Sequence, residues 1–445
     1  LALASVARVK LEIGGGTNLG VLATALQRFE PDSAYPTVML PDGTLGQQCP
    51  DGSTTDAGAR CFHDAYSASV DGSWRSRSGS YVAAGQAFVT AIENGPPRTM
   101  PDGKVIKSGD VSPSGRLYLA KEGGHWLGSV EVQGIGRRVD HNDLGFLQRQ
   151  NLLRTLPFLA YRTLEPFWAI AETETHIYAS TRDNLDGVAL LRGYYGGVRA
   201  RFKNFWIAQI DTYRYDVRFE DREIGDGTAL QRPSTHGLDI SLSSDPRREL
   251  AASFFAESLF YLDGGGRFTF DGEITYQPRP QLELQLLPQV TLASGESRFI
   301  RGGRAAGEPR LLFGEQRAHA VGATLRASYT FTNRFTLQLY SQLLAVSQHY
   351  SNFQSYEGPA TKQIRIADLT PTTAPMTNPD SEETTLNVSA VLRWEFRPGS
   401  TLFLVYSRAQ APDLVPDGEA ALDFGALRRG PAFDALQLKL SYYWN

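Results

Sequence analysis

Long runs in which every second residue is apolar constrain this chain more than any other feature of its sequence. In RFTFDGEITYQ, Phe268, Phe270, Ile274 and Tyr276 share one face, and charged or hydroxyl side chains share the other. QLELQLLPQV, TLNVSAVLRWEFR and the final LQLKLSYYWN repeat the pattern. Successive side chains of a β-strand leave opposite faces, so this alternation predicts about nineteen strands, and we find no convincing helix of three turns. The chain is therefore predicted to be all-β.

The length of the strands and the order of their connections indicate which all-β architecture the chain adopts. Many runs span about 10–16 residues, more than the roughly five or six usual in soluble sheets and enough for the roughly 9–11 tilted residues that cross a bilayer. Short turns such as GGGT, KEGGH and RPGS alternate with long links, which we predict at 30–64, 93–113, 137–151, 219–236, 293–314, 349–381 and 409–434. This alternation is typical of a transmembrane antiparallel up-and-down outer-membrane β-barrel, here of about 18–22 strands. Residues 1–445 are predicted to form one such domain, integral to the outer membrane of a Gram-negative bacterium.

The tryptophans test this topology independently. Five of the six lie within about four residues of a short turn and the sixth is the penultimate residue: Trp74, Trp126, Trp168, Trp206, Trp394 and Trp444. Indole rings prefer the headgroup interface of a bilayer, so we predict that these residues form a periplasmic aromatic girdle in contact with outer-membrane lipid. A soluble β-sandwich or propeller, the competing architecture, gives no reason for this placement, and no blade repeat of about 40–50 residues is visible.

Composition excludes some classes of protein. A net charge of −4 over 445 residues gives no reason to expect nucleic acid as a partner. No run of about 18 apolar residues predicts a transmembrane helix, and the opening LALASVARVK lacks the basic start and apolar core of a signal peptide. The two cysteines, Cys49 and Cys61, lie in one stretch rich in Pro, Gly and Asp. That setting favours a local disulfide in an oxidising compartment over a zinc site.

The direction of the first strand raises a problem of parity. Outer-membrane barrels usually have an even number of strands and both ends at the periplasmic face. Here the first strand, at about residues 3–13, runs into the short turn GGGT and would start at the outer face. Nineteen is also odd. Either one strand is misjudged or, as we favour, at least one N-terminal strand lies outside this chain.

Several segments together resemble a known family. They are HNDLGFLQRQN (141–151), FKNFW (202–206), SSDPRREL (243–250), STLFLVYSR (400–408) and the closing LQLKLSYYW. As a set they resemble a family of bacterial outer-membrane β-barrels of unknown function, in which the barrel commonly follows a carbohydrate-binding module of family nine. The resemblance implies a fold and a compartment, and it supplies no activity and no catalytic residues.

We find no convincing catalytic constellation, and the chain is not predicted to be an enzyme. VDHND places His141 between Asp140 and Asp143. Such a pair can act as a general base, but hydrogen bonds that order a loop are the plainer interpretation. STHGLD offers Ser234, His236 and Asp239, which are too close in an extended segment to form a triad. No GxSxG motif, P-loop or metal-spaced histidine pair is present.

No cofactor is expected, although calcium in the outer loops is a second interpretation of one motif. PDG occurs at 41–43, 50–52, 101–103 and 416–418. The plain interpretation is a set of tight turns, in which Gly supplies a positive φ. The more specific interpretation is a calcium site near the disulfide, because calcium needs clustered oxygens. Its ligands would be Asp32, Asp42, Asp51 and Asp56.

The polar rows of the strands carry the functional hypothesis. We predict ten lumen charges: Arg116, Glu131, Arg199, Arg201, Arg267, Glu273, Glu283, Arg326, Arg393 and Glu395. Opposed charges could screen solutes, or they could form ion pairs that stiffen a closed interior. We therefore expect passage of a solute or polymer across the outer membrane. The alternative is a plugged barrel that serves as an anchor or scaffold for surface glycan or protein partners.

Overall fold

The chain is all-β, and 68% of it is strand. A computed structural model describes residues 2–30, 35–143, 145–216, 218–302, 311–358, 363–412, 422–428 and 430–444. In these residues the only helical elements are two short 3₁₀ turns, Ile366–Asp368 and Phe424–Arg428. No helix within the same ranges has the length and apolar character needed to span a membrane.

Among the described residues, nineteen long strands follow one another. The first seven are β1 (Ala2–Gly14), β2 (Thr17–Arg28), β3 (Asp64–Arg75), β4 (Tyr81–Glu93), β5 (Val111–Lys121), β6 (Trp126–Ile135) and β7 (Leu152–Thr163). The next six are β8 (Ile170–Asp183), β9 (Ala189–Phe202), β10 (Ile207–Tyr215), β11 (Thr235–Ser243), β12 (Leu250–Tyr261) and β13 (Gly266–Arg279). The last six are β14 (Leu282–Gly302), β15 (Leu311–Thr332), β16 (Phe335–Tyr356), β17 (Ser381–Arg397), β18 (Ser400–Gln410) and β19 (Ala432–Ser441).

These strands form one antiparallel meander. Each strand from β2 to β18 pairs with the strand before it and the strand after it in the sequence. Among the described residues, β1 pairs only with β2 and β19 only with β18, so closure of the sheet is not observed. The connections at one end, the turn end, are all short. Six of the connections at the other end, the loop end, are long, 184–188 and 262–265 are short, and the ninth, 303–310, lies outside the described ranges.

One predicted loop is largely strand. We placed a link at 293–314, but β14 continues to Gly302 and β15 begins at Leu311, and residues 303–310 lie outside the described ranges. The loop at 349–381 is likewise shorter, because β16 continues to Tyr356. In TLASGESRFI the apolar alternation fades, although these residues remain strand. Pattern alone therefore ended these strands too early.

The long loops have structure of their own. Residues 37–56 form a small three-stranded sheet, Thr37–Met39, Leu45–Gln48 and Thr54–Asp56. The Cys49–Cys61 disulfide closes this loop, with 5.4 Å between the Cα atoms. A second small sheet joins two different loops, because Ala229–Arg232 pairs with Arg218–Glu220 and, in parallel, with Gln363–Ile364.

Candidate functional site: the charged face and the loop layer

The register of the strands separates an apolar face from a charged face. On β10 and β11, Ile210 lies opposite Ile240, and on the other face Asp211 lies opposite Asp239. Across β14 to β18 the exposed apolar positions continue from strand to strand, as in the pairs Leu286–Leu325 and Leu404–Leu438. A depression of about 920 Å³ on this face is lined by Leu119, Leu159 and Ile177. The apolar face is thus a wide, solvent-exposed hydrophobic surface.

All ten predicted lumen charges lie on the charged face, as the strand register shows. Two pairs of them contact each other: Arg116 with Glu131 at 2.6 Å, and Arg393 with Glu395 at 3.5 Å. Two more have carboxylate partners that sequence reasoning missed, because Arg201 pairs with Glu172 and Arg267 with Glu257. Cross-strand pairs of this kind stiffen a sheet, so part of the charge has a structural role.

A second group on the charged face was not predicted. Six rings form a chain of contacts with centroid separations of 4.1–6.2 Å: Phe158, His176, Tyr178, Tyr195, Tyr213 and Tyr215. Three carboxylates lie beside it, at directly opposite positions of β10, β11 and β12: Asp211, Asp239 and Glu257. The two groups are joined where Tyr213 donates a hydrogen bond to Glu257 at 2.6 Å. Tyr213 and Tyr215 alternate in TYRY and could have been found by that spacing, whereas Tyr178 and Tyr195 come from other strands.

A small cavity lies in another region of the charged face, at strands β14 to β17. It has a volume of about 350 Å³ and is lined by Glu283, Gln285, Arg326, Tyr340 and other residues of β14 to β17. The guanidinium of Arg326 lies 5.9 Å from the ring centre of Tyr340. The cavity therefore offers a carboxylate, an amide, a cation and a phenol to a polar solute.

At the loop end, segments from five connections pack together into what we call the loop layer, residues 94–110, 136–151, 184–188, 218–232 and 363–371. Two hydrophobic clusters form where these segments pack against the loop-end residues of the strands. One contains Ile135, Val139, Leu190 and Ala229, and the other contains Leu230, Phe313 and Ile364. The neighbours Ala229 and Leu230 belong to different clusters, so segment 218–232 joins the two. The loops thus bury a core of their own.

Buried charged side chains connect the segments of the loop layer to one another and to β14. Asp221 accepts hydrogen bonds from Arg149 at 2.5 Å and from Asn184 at 2.8 Å. Arg232 is buried, pairs with Glu223, and lies 3.5 Å from Glu296 of β14. Burial lowers the pKa of the Arg232 guanidinium to about 10. Removing one member of such a buried group leaves an uncompensated charge, which is strongly destabilising.

The histidine that pairs with a carboxylate is not the one the sequence pointed to. His141 lies 3.3 Å from the carbonyl oxygen of Phe146, and Asp140 pairs with Arg98. Asp143 instead contacts His63, 80 positions away in the sequence, at 2.9 Å. Distant pairs of this kind leave no local signal in a sequence. The arrangement orders loops, as the plainer interpretation predicted.

The STHGLD segment does not bring its three residues together. His236 lies opposite Arg214 on the apolar side of β11, and Asp239 lies on the charged face, because their positions differ by an odd number. The segment therefore does not form a triad.

The PDG motifs form tight turns in the part of the chain that is described. Gly43, Gly52 and Gly103 all have positive φ, and the fourth motif, at 416–418, lies outside that part. Asp42 and Asp51 accept hydrogen bonds from the residues two positions on, Thr44 and Ser53. Asp32 lies outside the described residues. Within them no group of three or more histidines, cysteines or acids could hold a metal ion.

All six tryptophans lie at the turn end and are exposed on the protein surface. Trp126 contacts Tyr161 edge-on at 5.0 Å, and Trp444 contacts Tyr442 at 4.8 Å. The turn end therefore carries a band of exposed aromatic rings.

Comparison with known proteins identifies a family and no activity. The model of a family described as a domain of unknown function (DUF5916) matches residues 57–444. No curated protein matches the chain.

Proposed function

The chain belongs to the DUF5916 family of unknown function, and we propose that it is an integral outer-membrane β-barrel that passes a solute or polymer through a charged lumen. The observation that carries this proposal is the opposition of the two faces over all nineteen strands. The apolar face is exposed and nearly continuous, whereas the opposite face holds ion pairs and polar rings. Soluble monomers rarely expose apolar patches beyond a few hundred Å², so lipid is the natural cover for this one.

The contacts of segment 218–232 support a strongly curled sheet. Its neighbouring residues Ala229 and Leu230 join clusters that include Leu190 of β9 and Phe313 of β15. On a flat sheet these two strands would be about 29 Å apart, six spacings of about 4.8 Å. Two adjacent residues cannot span that distance, so curling toward the loop layer best accounts for the contacts.

In this proposal the charged face is the lumen wall and the loop layer restricts the outer mouth. Segment 218–232 leaves the wall between β10 and β11, yet it contacts Gly103 on one side and Phe313 on the other. A loop with these contacts crosses the mouth instead of standing at its rim. The cavity at Glu283 and Arg326 would then be a polar site inside the lumen.

Conductance of single molecules in a planar bilayer tests passage. We expect steady openings whose ion selectivity is changed by Glu283→Lys on the charged face. The control Glu165→Lys changes the same charge in a turn and should leave selectivity unaltered. A silent but folded, membrane-inserted protein would refute passage.

Breaking the loop layer tests the restriction. Arg232→Ala removes the buried cation from Glu223 and Glu296, which then keep only the more exposed Arg298, and this should loosen the local packing. We expect longer or larger openings than in the wild type. Arg248→Ala, in an exposed turn, is the matched control. Unchanged openings would mean that the loop layer does not limit passage.

A second candidate function is an anchor or scaffold for surface glycan or a protein partner. It is favoured by large apolar side chains that the loops expose, with Phe146 and Met376 85% and 94% accessible. The resemblance to barrels that follow a carbohydrate-binding module points the same way. Binding of purified surface polysaccharide, lost in Phe146→Ala, is the expected result, and a non-conducting barrel that binds in this way would replace passage with anchoring.

A further inference from the structure

Two arginines lie side by side on the charged face, next to the loop layer. Arg154 of β7 and Arg182 of β8 occupy directly opposite positions, and each is within three residues of a loop-layer segment. Like charges at directly opposite positions destabilise a sheet. The next strands on either side offer no compensation, because Gln133 lies opposite Arg154 on β6 and Leu191 lies opposite Arg182 on β9. We call these two residues the arginine pair.

Other arginines of this face have a glutamate opposite them on a neighbouring strand. Arg199 lies opposite Glu174. Arg201 lies opposite Glu172 and bonds to it at 2.9 Å. The arginine pair departs from this pattern, so the cross-strand ion pairs that stiffen the rest of the face do not account for it.

The arginine pair has donors that are not fully used by the protein. Arg154 lies 3.9 Å from Glu131, but the carboxylate of Glu131 already pairs with Arg116 at 2.6 Å. The Nε atom of Arg154 is buried and has no hydrogen-bond partner among the described residues. Arg182 is exposed, so its guanidinium is open to a solute. The pair therefore combines an unsatisfied donor with an accessible one.

The surroundings of the arginine pair add further donors. Arg149 of the loop layer and the phenols of Tyr195 and Tyr215 lie close enough to interact electrostatically with the exposed arginine. Arg218, also of the loop layer, places its guanidinium 5.1 Å from the ring centre of Tyr215. Phenol hydroxyls can donate hydrogen bonds, and guanidinium groups donate charge-assisted ones. Cations thus come from the strands and from the loops above them.

The three carboxylates of β10 to β12 lie nearer the turn end. Asp211 is level with His176 of β8, because both lie opposite Gly197. His176 precedes Arg182 by six residues. At about 3.4 Å a residue, this is a separation of about 20 Å along the strand. Screening at physiological salt has a length of about 8 Å, so these carboxylates repel an anion at the arginine pair only weakly.

We propose that Arg154 and Arg182 form a binding site for an oxyanion, the carboxylate, phosphate or sulfate group of a solute in the lumen. A guanidinium presents N–H groups in a planar fork that matches two oxygens of such a group. The site lies on the inner side of the loop layer, where a solute that has passed the outer mouth meets the wall. The inference rests on the proposed passage and names its substrate class, solutes that carry oxyanion groups.

Chemical modification of arginine in the folded, full-length protein tests the site without requiring conductance. Phenylglyoxal reacts with accessible guanidinium groups, and mass spectrometry of the digested protein reports each arginine separately. Sodium sulfate should slow the modification of Arg182 relative to sodium chloride of the same ionic strength. Arg199, which is also exposed on the charged face, is the internal control and should react at the same rate in both salts.

A variant tests whether the two arginines act together. In Arg154→Gln, the sulfate concentration that half-protects Arg182 should rise about tenfold or more, because a charge-assisted hydrogen bond is lost. The matched control is Arg162→Gln, the same change on the same face of β7, at a position opposite Glu174. This control should leave the half-protecting concentration as in the wild type.

The outcomes separate the site from passage. Selective protection of Arg182 by sulfate in a barrel that does not conduct would support the oxyanion site and refute passage. Conductance without selective protection would leave passage standing and refute the site. Equal slowing of Arg182 and Arg199 by sulfate, or unchanged protection in Arg154→Gln, would also overturn the proposal.

Discussion

At the scale of single residues, the loops are ordered by carboxylates that collect partners from distant parts of the chain. Asp143 contacts Arg28 at the end of β2 and His63 just before β3, and its side chain is 10% exposed. Burial raises the pKa of this carboxyl, but hydrogen bonds with His63 and Arg28 outweigh burial and lower the pKa to about 2. Asp143 is therefore a charged junction between three segments.

This junction predicts how the loops respond to acid. A carboxyl whose folded pKa lies below the unfolded value of about 4 stabilises the fold above pH 4 and loses that contribution as pH falls toward 2. The loss is on the order of 2 kcal/mol. Hydrogen-exchange protection of 60–64 and 139–143 should fall over that window. Asp143→Asn should show the lower protection of 139–143 already at pH 7.

The matched control is Asp263→Asn, in the exposed hairpin 262–265, which should leave both segments as protected as in the wild type. Equal protection of the wild type and Asp143→Asn at pH 7 would show that the junction contributes nothing.

At the scale of elements, each long strand contributes residues to both the apolar face and the charged face. Leu286 of β14 lies on the apolar face opposite Leu325 and Ile274, and Gln285 lies on the charged face opposite Arg326. Adjacent positions in one strand therefore belong to different surroundings. Because the side-chain period is two, a slip of one residue would exchange the two faces, and this fixes the register strongly.

The pair Leu286 and Gln285 predicts opposite tolerance of the same substitution. Arginine on the lipid face of a barrel near the bilayer midplane costs about 2–4 kcal/mol, whereas lumen positions accept charge. Leu286→Arg should reduce the membrane-inserted, urea-resistant fraction, and Gln285→Arg should leave it near the wild-type level. Insertion of both variants to the same extent would argue against a lipid-facing apolar row.

At the scale of the whole molecule, the two ends differ in kind. The turn end carries six exposed tryptophans and short connections, and the loop end carries a layer with its own buried core. In the proposed orientation, the turn end faces the periplasm and the loop end faces the cell exterior.

The tryptophans predict a depth in the membrane. If the rings lie at the membrane interface as proposed, intrinsic fluorescence should be quenched more strongly in vesicles whose lipids carry bromine near the headgroup than in vesicles with bromine at the chain ends. Trp126→Phe should remove part of the signal without changing this order. Stronger quenching at the chain ends, or none with either lipid, would contradict an interfacial girdle.

The sequence alone predicted the all-β class and the number of long strands. These follow from a period of two, which is local and repeats many times, as in RFTFDGEITYQ. The turns were equally local, because Gly43 and Gly52 adopt the positive φ that PDG predicts.

The tertiary structure alone decided which charges and rings meet. The partner of Asp143 is His63 and not its neighbour His141, and Glu257 joins Tyr213 and Arg267 from different strands. The loop layer and the ends of β14 and β15 were also beyond the pattern. Contacts between segments far apart in the chain depend on how the sheet brings loops together, and a one-dimensional period carries no record of that.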